Sequence, residues 1–216
     1  MTHLVETHTV DADSRLRALL PAALQQTLQL LNYTSFTPIQ RHALPPLLEG
    51  KDVRAQAKTG SGKTAAFGLA LLTRLNLEKI ALQGLVLCPT RELADQVAAE
   101  LRRLASTLPN LKILTIYGGV AIAPRQASLV KHPPHLIVGT PGRILDHFEK
   151  GHLDFSQLSM LVLDDGEGFD RHAVLNGRQS ERNIGLYGII ERTELAGGRL
   201  HIRTGPGRGV AVRAVV

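Results

Sequence analysis

Ala57-Lys58-Thr59-Gly60-Ser61-Gly62-Lys63-Thr64 fits the pattern of a phosphate-binding loop, with Ala57 where that pattern usually opens on glycine. Gly60 and Gly62 let the backbone wrap so that successive N–H groups can face one anion. Lys63 supplies a compact cation for outer phosphates, and Thr64 a hydroxyl for Mg2+. Thr59 and Ser61 lie within the loop, and with Gly60, Gly62, Lys63 and Thr64 they form the nucleotide-binding set. The helix that the loop opens aims its positive end at the same anion. A mere Gly/Ser turn before an ordinary helix would not require strand, loop, Lys-Thr pair and apolar helix to agree.

Other polar residues stand at positions suited to ligands. In Phe36-Thr37-Pro38-Ile39-Gln40, Pro38 stiffens a turn and Ile39 anchors it. The Gln40 amide is then free to donate and to accept, which matches the two complementary edges of adenine. Alone, a Gln after a Pro is usually just a surface residue; just ahead of a phosphate loop it gains weight. Further on, Pro89-Thr90-Arg91-Glu92, Gly118-Gly119 and Thr140-Pro141-Gly142-Arg143 each follow an apolar run. Arg91 and Arg143 can hold phosphates, and Gly119 admits a close backbone. As local structure the first tetrad reads as a helix cap and the last as a turn, and neither excludes binding.

The elements that must position these residues follow from periodicity. Ser14 caps a helix over Arg15–Leu20, and Pro21 starts a second over Ala22–Leu31. Strands are expected at Asp52–Ala57, Gly84–Leu87, Lys112–Tyr117, Leu136–Val138 and Met160–Leu163. Helices are expected at Ala65–Leu75, Glu92–Leu104, Ala121–Val130 and Arg143–Glu149. Short apolar runs alternating with helices imply buried parallel strands joined by helical crossovers. In such sheets ligands bind at the carboxyl ends of the strands, where the polar tetrads fall.

The whole chain of 216 residues is long enough for one large domain or one and a half small ones. A net charge of +6 suits an anionic partner such as nucleic acid, or simply solubility. Cys88 is the only cysteine, so no internal disulfide forms and a reducing cytoplasm is the expected home. No apolar run is long enough to span a bilayer, and no membrane partner is expected. Residues 1–15 read as a flexible leader.

Together, Phe36–Gln40, Ala57–Thr64, Pro89–Ala94, Gly118–Gly119 and Thr140–Arg143 resemble the first RecA-like lobe of a DEAD-box ATP-dependent RNA helicase, over residues 16–163. The runs Val53–Leu72 and Leu85–Ala105 resemble a bacterial branch of that family acting on ribosomal RNA. The resemblance implies a RecA-like P-loop parallel sheet flanked by helices, with ATP and Mg2+ as cofactors and RNA as partner. It implies that Gln40 reads adenine and that Lys63 and Thr64 hold phosphates and Mg2+. RNA would lie on Pro89, Thr90, Arg91, Glu92, Gly118, Gly119, Thr140, Pro141, Gly142 and Arg143. Of the catalytic set Lys63, Asp164 and Asp165, Asp164 would face Mg2+.

The sequence departs from the family in places. No aromatic residue precedes Tyr33, where the family places one to stack on adenine. Asp164-Asp165-Gly166-Glu167 stands where the family writes Asp-Glu-Ala-Asp, so the shorter Asp165 replaces the Glu that orients water. The Ser-Ala-Thr motif and the second lobe with its arginine finger have no counterpart, so catalysis is expected to be impaired. The stretch 164–216 instead resembles the end of a sensor histidine kinase ATPase domain. Asp164–Phe169 and Asn183–Ile189 stand for its glycine boxes, followed by a helix and a β-hairpin over Arg199–Arg203 and Val210–Val216. A fusion within or near Met160–Asp165 is therefore expected. The alternative functions are a non-catalytic nucleotide- and RNA-binding module and a signalling ATPase fragment.

Overall fold

Gly84-Leu85-Val86-Leu87 is buried at all four residues, as an apolar run must be when both its faces are covered. It forms β1 of a four-stranded parallel sheet in a computed structural model. The model describes residues 12–58, 60–118, 132–164, 199–204 and 210–215, the last two stretches by their backbone alone. The other strands are β2 (Ile113–Ile116), β3 (Leu136–Gly139) and β4 (Met160–Leu163), in the spatial order β2-β3-β1-β4. Register is fixed by Leu85 opposite Ile137 and Leu161, and by Leu114 opposite Ile137. β3 is buried throughout, whereas β4, paired with β1 alone among the described residues, is half-buried along its length.

The helices are α1 (residues 12–18), α2 (Ala22–Leu30), α3 (Pro38–Leu48), α4 (Lys63–Arg74), α5 (Arg91–Leu104) and α6 (Pro141–Glu149). An antiparallel hairpin, β5 (Arg199–Thr204) with β6 (Val210–Val215), forms a separate two-stranded sheet. This is the α/β architecture and the terminal hairpin expected from the sequence. The expected helix at Ala121–Val130 and the helix ahead of the hairpin lie outside the described residues.

The chain divides into two compact units, Met1–Leu75 with Ala99–Leu111, and Asn76–Ala98 with Lys112–Val216. In the first, Leu16, Leu20, Leu24, Leu28, Phe36, Leu44 and Leu69 are core. Gly68 on α4 lets the helix close on α5, since a Cβ there would meet Leu101 at 3.0 Å and Leu104 at 3.1 Å. In the second, Leu85, Leu87, Ile116, Ile137 and Ile144 form the centre of one cluster with Leu82 and Leu153.

Three expectations need correction. Asp52–Ala57 forms no strand. Val53, Ala55 and Ala57 are half-buried between exposed neighbours, so the alternation of an extended chain is there, but no sheet ladder pairs it. The stretch Pro38–Gln40 is not a turn but the first turn of α3, with Pro38 at the position where a missing N–H costs nothing. Residues 12–15 are helical rather than a loose leader, and Asp13 is buried at 8% exposure. Its carboxylate takes two bonds from Arg41, at 2.6 and 2.9 Å, and one from the Phe36 N–H at 3.1 Å. Ser14 accordingly lies inside α1 instead of capping it.

Candidate functional site

In the first unit the phosphate loop runs into α4 through two residues in the left-handed region, Gly60 at φ +78° and Gly62 at φ +91°. Side chains avoid this conformation, which explains both glycines. The Lys63 ammonium folds back on the loop, donating to the carbonyls of Ala57 and, at 3.1 Å, Lys58. Ser61 Oγ is buried in the loop without a hydrogen-bond partner. An orphaned hydroxyl, a cation parked on backbone carbonyls and a wrapped loop at a helix start together fit a phosphate group. Thr64 lies on the first turn of α4, and Thr59 is outside the described residues.

Gln40 is fully buried, and its amide is not free. Gln40 Oε1 accepts from the Thr37 N–H at 2.9 Å, closing the start of α3 in the manner of a capping box. Gln40 Nε2 donates to Tyr33 Oη at 2.7 Å and to the Gly62 carbonyl at 3.0 Å. The adenine-reading candidate is therefore tied to the phosphate loop itself. The expectation of a free amide fails because a buried amide must find partners for its donors and acceptor. The Thr-x-x-Gln spacing at Thr37–Gln40 was a readable signal of the cap; the bond across 22 residues to Gly62 was not. Burial raises the Tyr33 phenol's pKa, against a lowering by the Gln40 donor.

In the second unit the carboxyl ends of the parallel strands carry the polar residues expected there. Cys88 follows β1, Tyr117 follows β2, Thr140 follows β3 and Asp164 follows β4. The backbones of three of them are locked to a neighbouring strand: Cys88 N–H to Gly139 O at 2.8 Å, Thr140 N–H to Ile116 O at 3.0 Å, Asp164 N–H to Leu87 O at 3.0 Å. Gly139, which sequence reading passed over, permits this closeness, because a Cβ there would lie 2.2 Å from Ile116 O.

Pro89, Thr90, Arg91 and Glu92 are all exposed. Thr90 Oγ1 caps α5 by accepting from the Leu93 N–H at 3.2 Å. Backbone and Thr90 hydrogen bonds hold the Glu92 carboxyl below its ordinary pKa. Arg91 reaches across to the Gly118 carbonyl at 2.9 Å, so these two candidates are in contact. Tyr117 donates to Asp95, 2.9 Å from both carboxylate oxygens, next to this pair in the chain's fold but unforeseen from sequence. Thr140, Pro141, Gly142 and Arg143 open α6. Arg143 donates to Asp146 at 2.6 Å, while its Nε is buried without a partner. Gly119 and Asp165 lie outside the described residues.

The described residues hold no cluster of three or more metal-binding side chains. Mg2+ bound with a nucleotide is carried largely by phosphates and water and needs no such cluster.

Comparison with known proteins gives one answer. Residues 37–181 match the family described as DEAD/DEAH box helicase, a span that runs past the expected junction at 160–165. ATP-dependent RNA helicase DbpA of Escherichia coli is 57% identical over 148 residues, covering 68% of this chain and 32% of that protein. DEAD-box ATP-dependent RNA helicase CshA of Bacillus cereus is 45% identical over 148 residues, with 68% and 28% covered. Among solved structures, a DEAD box protein from the hyperthermophile Methanococcus jannaschii superposes with a TM-score of 0.67 at 35% identity, over 80% of this chain and 44% of that one. S. cerevisiae Dbp5 bound to RNA and ADP BeF3 gives 0.65 at 27% identity, with 80% and 41% covered. The chain thus spans about a third of the length of these curated relatives. With the phosphate loop, the Gln40 cap and the strand-end residues in the order the family requires, this chain belongs to the DEAD/DEAH-box helicase family and forms a RecA-like lobe of it.

Proposed function

We propose that this lobe binds ATP with Mg2+ through Gln40 and the loop 57–64, and binds RNA through Arg91, Gly118, Thr140 and Arg143. On this reading it serves ATP-driven remodelling of RNA. The observation that carries the reading is the state of the loop: Lys63 rests on the Ala57 and Lys58 carbonyls while Ser61 Oγ has no partner. Lys63 would exchange those carbonyls for phosphate oxygens, and Thr64 would offer its hydroxyl to the metal. The bound nucleotide supplies the phosphoryl group whose loss drives the cycle; positioning and charge are the protein's part. Asp165 stands where the family uses the longer Glu. A misplacement of that order costs about 100-fold in rate, so turnover by this lobe is expected to be slow.

RNA on the strand-end rim is supported by the exposed Arg91, the unpartnered Arg143 Nε and the net positive charge. Ribosomal RNA is the proposed class, on the resemblance of the runs Val53–Leu72 and Leu85–Ala105. A cytoplasmic home goes with the single cysteine. Asp165 also favours a second reading, a nucleotide- and RNA-binding module without turnover.

Calorimetry with Mg·ATP on the wild type and Lys63→Ala tests the nucleotide site. Loss of one charge-assisted bond of about 1.5–3 kcal/mol is expected, and equal affinities would overturn it. Phosphate release with and without an rRNA fragment separates the readings. RNA-stimulated release that Lys63→Ala abolishes supports the enzyme, and its absence with RNA binding intact supports the module.

A further inference from the structure

Arg91 opens α5 with two carboxylates inside its reach, Glu92 beside it and Asp95 four residues on. Residues four apart on a helix are neighbours on one face, so Asp95 stands where it could pair with Arg91. Both carboxylates are held by other donors. Glu92 is turned onto its own N–H and the Thr90 hydroxyl. Asp95 takes the Tyr117 hydroxyl, 2.9 Å from both of its oxygens. An ionised carboxylate only accepts, so Tyr117 is the donor in this bond. Arg91 donates instead to the Gly118 carbonyl at 2.9 Å.

The other rim helix shows the alternative. Arg143, near the start of α6, donates to Asp146 three residues on at 2.6 Å, and Lys150 pairs with the same carboxylate at 2.5 Å. An arginine early in a rim helix and an aspartate one turn later do pair in this fold. On α5 the Tyr117 hydroxyl occupies the aspartate. The Asp95 hydrogen bond raises the pKa of the Tyr117 phenol, and the charge of Arg91 opposes that rise, so the three groups act on one another.

A carboxylate and a phosphate compete for the same guanidinium fork. An aspartate one turn away on the same helix is a standing competitor for any phosphate. We propose that Tyr117 is a positioning residue for RNA binding: by holding the Asp95 carboxylate it keeps Arg91 out of an internal ion pair and leaves that guanidinium on the rim for a phosphate. The inference rests on the reading of Arg91 as a phosphate contact. It goes beyond that reading by naming the side chain that keeps the cation available.

Tyr117→Phe deletes the hydroxyl and keeps the ring, and Asp95→Asn removes the competing charge while keeping an oxygen for Tyr117. Binding of a fluorescein-labelled single-stranded RNA is measured by anisotropy over a range of salt concentrations. The whole chain is used as wild type, as each single variant, as the double variant and as Arg91→Ala. Tyr117→Phe is expected to weaken binding about twofold to fivefold, the worth of an exposed ion pair, with its salt slope falling toward that of Arg91→Ala. Asp95→Asn is expected to restore affinity in the Tyr117→Phe background, and to gain less when the Tyr117 hydroxyl is present. Unchanged affinity in Tyr117→Phe overturns the inference. So does a loss that Asp95→Asn leaves in place, which would show that Tyr117 only supports the strand end. Equal gains from Asp95→Asn in both backgrounds overturn it as well, because they report general repulsion of RNA. In these three cases the reading of Arg91 stands. Arg91→Ala binding like the wild type overturns that reading, and the inference with it.

Discussion

Gln40 Nε2 donates to the Gly62 carbonyl at 3.0 Å, and a Cβ on Gly62 would sit 2.3 Å from that same nitrogen. The helix cap of α3 and the phosphate loop are therefore packed at a distance that only glycine allows. Gly60 offers the contrast: it shares the left-handed backbone, but a Cβ there meets nothing within 4 Å. Gly60→Ala is expected to cost the conformational strain alone, about 1–2 kcal/mol. Gly62→Ala is expected to cost more, and to displace Gln40. Urea unfolding of the two variants checks this; equal losses would mean that the Gln40 contact carries no weight.

The Asp13 clamp has a pH signature. The Arg41 hydrogen bond, together with the Phe36 N–H, holds the Asp13 carboxyl below its ordinary value, against the opposing effect of burial. A depressed carboxylate contributes stability that is full above the unfolded pKa, about 3.9, and is lost as pH falls through the folded one. Wild type is expected to exceed Asp13→Asn in stability by a constant amount above about pH 5, with the gap closing on acidification. Asp13→Ala also leaves the buried Phe36 N–H unpaired, at about 1–3 kcal/mol. Parallel pH profiles for wild type and Asp13→Asn would refute the clamp.

Cys88, 1% exposed at the end of β1, has its thiol pushed up to about 12 by burial and by the Asp164 charge. At pH 8 its thiolate fraction is on the order of 10⁻⁴. Native protein should take up maleimide very slowly, and urea-unfolded protein one equivalent at once. Rapid native labelling, read by mass spectrometry, would contradict the packing at this strand end.

Arg91 on the rim is exposed, and its contact with the Gly118 carbonyl leaves it other donors. Arg91→Ala should weaken RNA binding similarly across sequences and reduce the salt slope by about 1. Weaker binding with the slope unchanged would show that Arg91 neutralises no phosphate.

Much of this was legible in the residues themselves. A strand buried on both faces must be apolar at every position, so Gly84–Leu87 and Leu136–Val138 stood out; Met160–Leu163 is apolar too, though only half-buried. The loop 57–64 was legible because phosphate chemistry demands glycines, lysine and threonine at set spacing. Such signals are local, and the helices followed from theirs within a few residues.

Tertiary structure decided which partners those residues have. Asp52–Ala57 has the alternation of a strand, yet a strand exists only through a ladder with another segment, and sequence does not supply one. Gln40 looked free because its partners, Tyr33 and Gly62, lie 7 and 22 residues away and meet it only in the fold. Asp13 looked like part of a loose leader because Arg41 is 28 residues on. Hydrogen bonds and close approaches depend on distances of a few ångströms. Those are fixed only when non-local segments pack, which is why sequence determined the chemistry on offer and the folded chain determined how it is held.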